Sequence, residues 1–218
     1  MSDTDSFIDE VTEEVKRDRL FALMRKWGWV GVAIVLLIVG GTAYREWHIA
    51  STERAAQEFG DSILTALGKE DEAARIAALG QISAPQAGAQ AILTLLTAAE
   101  EASAGNDAEA VARLQQVAAN AEIPSIYRQI ASYKALTRGE KLLPVEERRA
   151  GFEALAVPGQ PLRLLAEEQL ALIDIETGET AAAQERLKRL AEDSEATQGL
   201  RRRASQLIVA LGGEPPAN

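Results

Sequence analysis

The chain of 218 residues has no cysteine and only one histidine. Without cysteine there can be no disulfide framework, no thiolate zinc site and no thiol nucleophile. His48 has no second histidine with which to form a metal site or a proton relay, and it reads as a polar residue at an interface. The serines therefore lack a base elsewhere in the chain to activate them. No glycine loop follows a strand pattern in the way that a phosphate cradle requires. Adjacent carboxylates such as Glu146-Glu147 and Glu167-Glu168 point apart on a helix and read as solvated faces. The sequence thus offers no catalytic, metal-binding or cofactor-binding residue and argues against an enzyme.

Positive charge is the scarcer sign. Against 33 acidic residues stand 23 basic ones, a net charge of -10, and eight of those ten charges lie beyond Tyr44. An acidic surface argues against nucleic acid as a partner, because phosphates select basic faces. It also disfavours lying along an anionic leaflet.

One segment lacks charge altogether. The eighteen residues from Trp27 to Tyr44, WGWVGVAIVLLIVGGTAY, form a helix ~27 Å long at about 1.5 Å per residue. Extended to Trp47, it reaches roughly 31 Å, enough for a hydrocarbon core of ~30 Å. Its ends carry interfacial residues: Trp27 and Trp29 on one side, Tyr44 and Trp47 on the other, with Arg25 and Lys26 just outside. Eight aliphatic residues between Val30 and Val39 each favour insertion by roughly 0.3–0.6 kcal/mol, about 2–5 kcal/mol together. A buried core helix would seldom be apolar on every side for this length. A cleaved signal peptide would follow a short basic lead, whereas this run follows an acidic one. The expectation is a transmembrane helix at 27–47. Lys16, Arg17, Arg19, Arg25 and Lys26 precede it and only Arg45 and Arg54 follow closely, which places the N-terminus in the cytoplasm.

After the span, nearly every segment has helical period and is rich in alanine, leucine, glutamate, arginine and glutamine. Glycines and prolines divide the region into expected helices near 46–67, 70–80, 86–103, 107–120, 125–138, 145–155, 161–176, 180–193 and 197–211. No proline or glycine interrupts the first of these before Gly60, so the anchor is expected to continue outward as one helix. Three helix pairs share a pattern of alanines and leucines around Gly105, Gly139 and Gly178, glycines spaced 34 and 39 residues apart. That is close to the 34-residue tetratricopeptide period. Alanines let paired backbones approach, leucines fill the seams and glycine turns the chain. The expected fold is all-α: one N-terminal transmembrane helix followed by a tetratricopeptide-like helical-hairpin solenoid. A plain antiparallel bundle is the competing arrangement. The expected organisation is a cytoplasmic leader over 1–26, the membrane helix over 27–47, a tetratricopeptide-like domain over 48–212 and a flexible tail over 213–218.

At this point the chain resembles the bacterial ancillary SecYEG translocon subunits, single-pass inner-membrane proteins with a periplasmic tetratricopeptide-like domain. The residues that carry the resemblance are the leader Glu13-Glu14-Val15-Lys16-Arg17-Asp18-Arg19-Leu20-Phe21, the span closing at Gly40-Gly41-Thr42-Ala43-Tyr44-Arg45-Glu46-Trp47, and Leu200-Arg201-Arg202-Arg203-Ala204 with Leu207, Leu211 and Gly212. The resemblance covers nearly the whole chain, on diffuse helical patterns. It implies a bacterial inner-membrane scaffold with a periplasmic domain beside the SecYEG channel. Its implied partners are the translocon, a membrane-anchored periplasmic peptidyl-prolyl isomerase and emerging client chains. The leader here is longer and more acidic than the family pattern. A structural accessory subunit of another membrane complex, respiratory or divisional, is the alternative function.

Four further features bear on partners. Residues 5–26 have an apolar face of Phe7, Ile8, Val11 and Val15, which reads either as a docking helix or as a disordered or interfacial leader. Arg201, Arg202 and Arg203 form the one dense basic cluster beyond the membrane flank. They suit an acidic partner segment or simply neutralise Glu192, Asp193 and Glu195. Tyr127, Tyr133 and Phe152 read as core or groove residues, with Tyr127 a candidate partner contact. Leu187 is expected in the seam between the last two helix pairs.

Overall fold

The computed structural model describes the backbone of residues 3–214 and the side chains of residues 25–26 and 29–214. Among the described residues it contains nine α-helices and no strand. They are α1 (Asp3–Leu67), α2 (Glu72–Leu79), α3 (Ala87–Ser103), α4 (Asp107–Ala119), α5 (Ser125–Arg138), α6 (Val145–Leu155), α7 (Arg163–Glu176), α8 (Thr180–Glu192) and α9 (Gln198–Ala210), with a 3-10 turn at Gly139–Lys141. The all-helical expectation and the helical continuation of the apolar span are both observed.

The chain divides into two compact units, Met1–Gln57 and Glu58–Asn218. In the first, α1 carries one segment long and apolar enough to cross a membrane, with none of its apolar window buried. Trp29, Leu36, Leu37, Tyr44 and Trp47 are all exposed, as are Arg25 and Lys26. Tyr44 lies beside Trp47 and His48, with ring centroids 6.3 and 6.4 Å apart, so the single histidine belongs to an aromatic cluster at the end of the apolar run. The apolar leader face of Phe7, Ile8, Val11 and Val15, the Trp27 side chain and residues 215–218 of the tail lie outside the described residues.

The second unit is a stack of helices, each packed on its sequence neighbours from α2 to α9, with α3 also touching α5. Its core is not one central cluster but four in succession. Ile63, Ala66, Leu79 and Leu93 join the end of α1 to α2 and α3. Ala91, Ala98, Ala110, Leu114, Ala131 and their neighbours join α3, α4 and α5. Leu136, Phe152, Leu155 and Leu170 join α5, α6 and α7. Ala171, Leu187, Leu200, Ala204 and Ile208 join α7, α8 and α9. Each helix pair leaves an apolar face that the next pair covers, which is how repeat stacks gain stability. Leu187 is fully buried in the last cluster, in the seam where sequence places it.

Two hairpins turn in the same way. Gly105 (φ 79°) and Gly178 (φ 80°) take the left-handed conformation that glycine adopts without strain. After α3, the Asn106 N–H reaches the Glu101 carbonyl at 2.8 Å and the Gly105 N–H reaches Ala102 at 3.2 Å. After α7, the Glu179 N–H reaches Asp174 at 2.7 Å and the Gly178 N–H reaches Ile175 at 3.1 Å. Both are Schellman motifs, which satisfy the last carbonyls of a helix. The middle hairpin departs from the sequence expectation. Gly139 has φ -75° and caps α5 without reversing the chain. A Cβ there would stand 2.6 Å from Leu143 Cδ1, so this glycine gives the Leu143 side chain room to pack instead. The 3-10 turn and Pro144 then lead into α6. This longer connection accounts for the irregular spacing of the repeat glycines.

Candidate protein-interaction surface

A cleft of about 990 Å³ opens on the second unit between α3, the start of α4, α5 and the turn that follows α5. Leu95, Ala99, Ala102, Tyr133 and Leu142 supply its apolar lining, with Leu142 49% exposed. Small residues make the space, since alanines on α3 leave a depression where larger side chains would fill it. Tyr133 is half-buried and meets Phe152 edge to face, with centroids 5.8 Å apart. Burial, then the nearby Glu168 carboxylate, push the Tyr133 phenol above its ordinary range. Lys134, Arg138 and Lys141 border the cleft on the α5 side, and Asp107 and Glu109 on the α4 side. Arg138 and Asp107 approach to 3.5 Å across it, an exposed pair of little energetic weight. An apolar floor with charges of both signs at the rim suits a protein segment rather than a small anion or a nucleic acid.

Beneath the surface the stack is held by ion pairs that pattern reading did not identify. Glu101 on α3 is buried, and Arg113 on α4 grips both its oxygens, the Nε–Oε2 bond measuring 2.8 Å. Asp174 on α7 is 1% exposed and receives Arg186 Nε of α8 at 3.1 Å and Arg149 Nη1 of α6 at 2.5 Å. Arg148, itself buried, reaches Glu176 at 2.5 Å. The signal was in the spacing. An acid four residues before the turn glycine and an arginine eight after it occur in both Schellman hairpins.

Glu167 and Glu168 correct the reading of a solvated face. Glu168 is buried and takes both Arg203 Nε and Nη2 at 2.7 Å, while Glu167 takes Arg186 Nη1 at 2.6 Å. The helix pattern showed where these acids sit but not that α8 and α9 bring arginines to them. The same contacts describe the basic cluster. Arg203 is committed to Glu168, Arg201 donates to the carbonyls of Asp193 and Ser194 at 3.1 and 3.2 Å, and Arg202 is exposed. Asp193 is bonded instead by Arg163 of α7 at 2.8 Å. Tyr127 is half-buried against the α3–α5 core and near Gly88, and it is not among the residues lining the cleft. Trp29, Tyr44, Trp47, Arg25 and Lys26 lie on the first unit, and Tyr127 and the arginine cluster on the second.

No curated protein and no solved structure matches the chain. A family model described as a tetratricopeptide repeat-like domain matches residues 25–136, a stretch that runs from the flank of the apolar span to Leu136 in α5 and includes the cleft's α3 wall. That match agrees with the stacked hairpins, the recurrent turn glycines and the serial core: the chain belongs to the tetratricopeptide repeat-like domain family.

Proposed function

We propose that this protein is a non-enzymatic scaffold held at a bacterial inner membrane by α1, with its helical stack in the periplasm. Helical-hairpin stacks of this kind typically bind other proteins and carry no chemistry of their own. The observation that carries the reading is the cleft between α3, α4 and α5, an apolar-floored groove on a stack that has a membrane-length apolar segment before it. The excess of basic residues before the span supports a cytoplasmic N-terminus. The resemblance in leader, span and terminal helix supports a place beside the SecYEG translocon. There the stack would hold a periplasmic peptidyl-prolyl isomerase or segments of emerging chains.

Purification of the full chain in mild detergent, followed by mass spectrometry, tests the assignment. Recovery of SecY together with a periplasmic isomerase, lost on Leu142→Asp, is the expected result. A stoichiometric oxidase, synthase or division complex in their place would overturn the translocon assignment.

A further inference from the structure

The three hairpins can be compared position by position, and one of them lacks the polar contact that holds the other two. The third residue from the C-terminus of the first helix is Glu101 in α3, Leu136 in α5 and Asp174 in α7. The seventh residue of the second helix is Arg113 in α4, Gly151 in α6 and Arg186 in α8. These positions meet in every hairpin: Glu101 with Arg113, Asp174 with Arg186, and Leu136 with Gly151, where an added Cβ would lie 2.6 Å from Leu136 Cδ1. The middle hairpin therefore replaces a charge-assisted clasp by a leucine seated on a glycine. A charged, directional bond fixes the angle between two helices. A leucine against bare backbone gives dispersion contact without a fixed direction.

The remaining ion pairs follow the same division. Arg75–Glu100 ties α2 to α3, Glu101–Arg113 ties α3 to α4, and Asp107–Arg138 ties α4 to α5. Beyond the middle turn, Arg148–Glu176 and Arg149–Asp174 tie α6 to α7, Arg186 ties α8 to α7, and Arg203–Glu168 ties α9 to α7. Among the described residues no ion pair joins α2–α5 to α6–α9. The blocks meet instead through neutral contacts, the hydrogen bond from Gln129 to Gln160 at 2.6 Å and the apolar packing of Leu136 and Tyr133 on Phe152. The turn that separates the blocks also lacks the left-handed Schellman cap of its two counterparts.

We infer that the helical stack consists of two ion-tied blocks, α2–α5 and α6–α9, and that it flexes at the α5–α6 hairpin between them, the one hairpin without a Schellman cap. Glu140, Lys141 and Leu142 of that hairpin also line the cleft, so flexing there changes the cleft's outer wall. Only this last consequence, an adjustable fit for different protein segments, rests on the proposed function. The hinge itself does not.

Because the chain has no cysteine, pairs of introduced cysteines can be spin-labelled uniquely. Four exposed positions serve: Glu109 and Lys134 in the first block, Glu153 and Thr180 in the second. Pulsed electron resonance on the full chain in detergent would compare three pairs. The account expects narrow distance distributions for 109–134 and 153–180, and one about twice as wide for 109–180. Removing α6 from its block with Arg148→Gln and Arg149→Gln should broaden 153–180. Hydrogen exchange supplies a readout free of labels. Amides at 139–143 should open about tenfold faster than those at 102–106 and 175–179, although all three turns are hydrogen-bonded. Equal widths for the three pairs, or equal protection of the three turns, would show that the stack is uniformly rigid and that the hinge does not exist. Neither outcome depends on any partner being bound.

Discussion

Arg113 holds the buried Glu101 by two parallel hydrogen bonds across the α3–α4 hairpin, and Arg186 holds Asp174 at the same twelve-residue separation across α7–α8. The acid that accepts each arginine also offers its backbone carbonyl to the turn that follows. One residue thereby fixes both the helix end and the angle of the next helix.

The first prediction concerns that contact. Arg113→Ala leaves a buried carboxylate without its partner, a loss at or above the about 1–3 kcal/mol of a neutral acceptor. Arg202→Ala, at an exposed position, should stay within about 0.5 kcal/mol. Urea unfolding of the Glu58–Asn218 unit measures both. Equal midpoints for the two variants would remove the clasp from the account of stability.

A second prediction addresses the stacking seam. Leu187 is fully buried among residues of α7, α8 and α9. Leu187→Ala should destabilise the unit by about 2–5 kcal/mol through lost burial and a cavity. A variant as stable as the parent would mean that α8 does not pack in the register described.

Much of this fold was legible because alanine, leucine and glycine report helix packing directly. Ala98, Ala110 and Leu114 belong to the alanine and leucine pattern around Gly105 and are buried in one seam. Their counterparts Ala171, Ala183, Leu187 and Leu190 behave alike. The polar interior was legible only in the spacing of acid, glycine and arginine at two hairpins. Glu101, Glu168 and Asp174 look like the outward acids beside them, and only their arginines, up to 35 residues away, distinguish them. Gly139 was misread for a related reason, since a glycine needed for backbone freedom and one needed for space share a letter. The cleft was partly hidden as well. It is made by absent side chains on α3 and by a 3-10 turn that periodicity does not reveal.

The third prediction concerns acid. The Arg163 guanidinium, and then the Glu195 N–H, hold the Asp193 carboxyl below its ordinary 3.8. A depressed folded value means that this contact stabilises above the unfolded value and is lost as pH falls through the folded one. The parent should therefore lose stability below about pH 4, and Asp193→Asn should be less stable near neutrality with a flatter acid limb. Denaturant midpoints across that range provide the comparison. An acid limb unchanged by Asp193→Asn would show that the contact does not prefer the charged carboxylate.

The fourth prediction tests the anchor. Arginine in the middle of a membrane helix costs roughly 2.5–3.5 kcal/mol against the about 2–5 kcal/mol that the aliphatic run provides. Leu36→Arg should sharply reduce membrane insertion, whereas Leu36→Ala should change it little. Carbonate extraction of membranes reads the difference. Equal resistance of both variants would mean that the Trp29–Tyr44 face does not meet lipid.

The central claim is that a membrane-anchored helical stack receives a protein segment in the cleft beside Leu142. A photo-crosslinking residue placed at Leu142 in the full chain, activated in intact cells and followed by mass spectrometry of the adducts, tests it most directly. The account predicts adducts with a translocon subunit, a periplasmic isomerase or a chain in transit, and none when the same residue replaces exposed Arg202. Equal labelling from both positions, or no adduct from Leu142 in cells that contain the inserted protein, would contradict it.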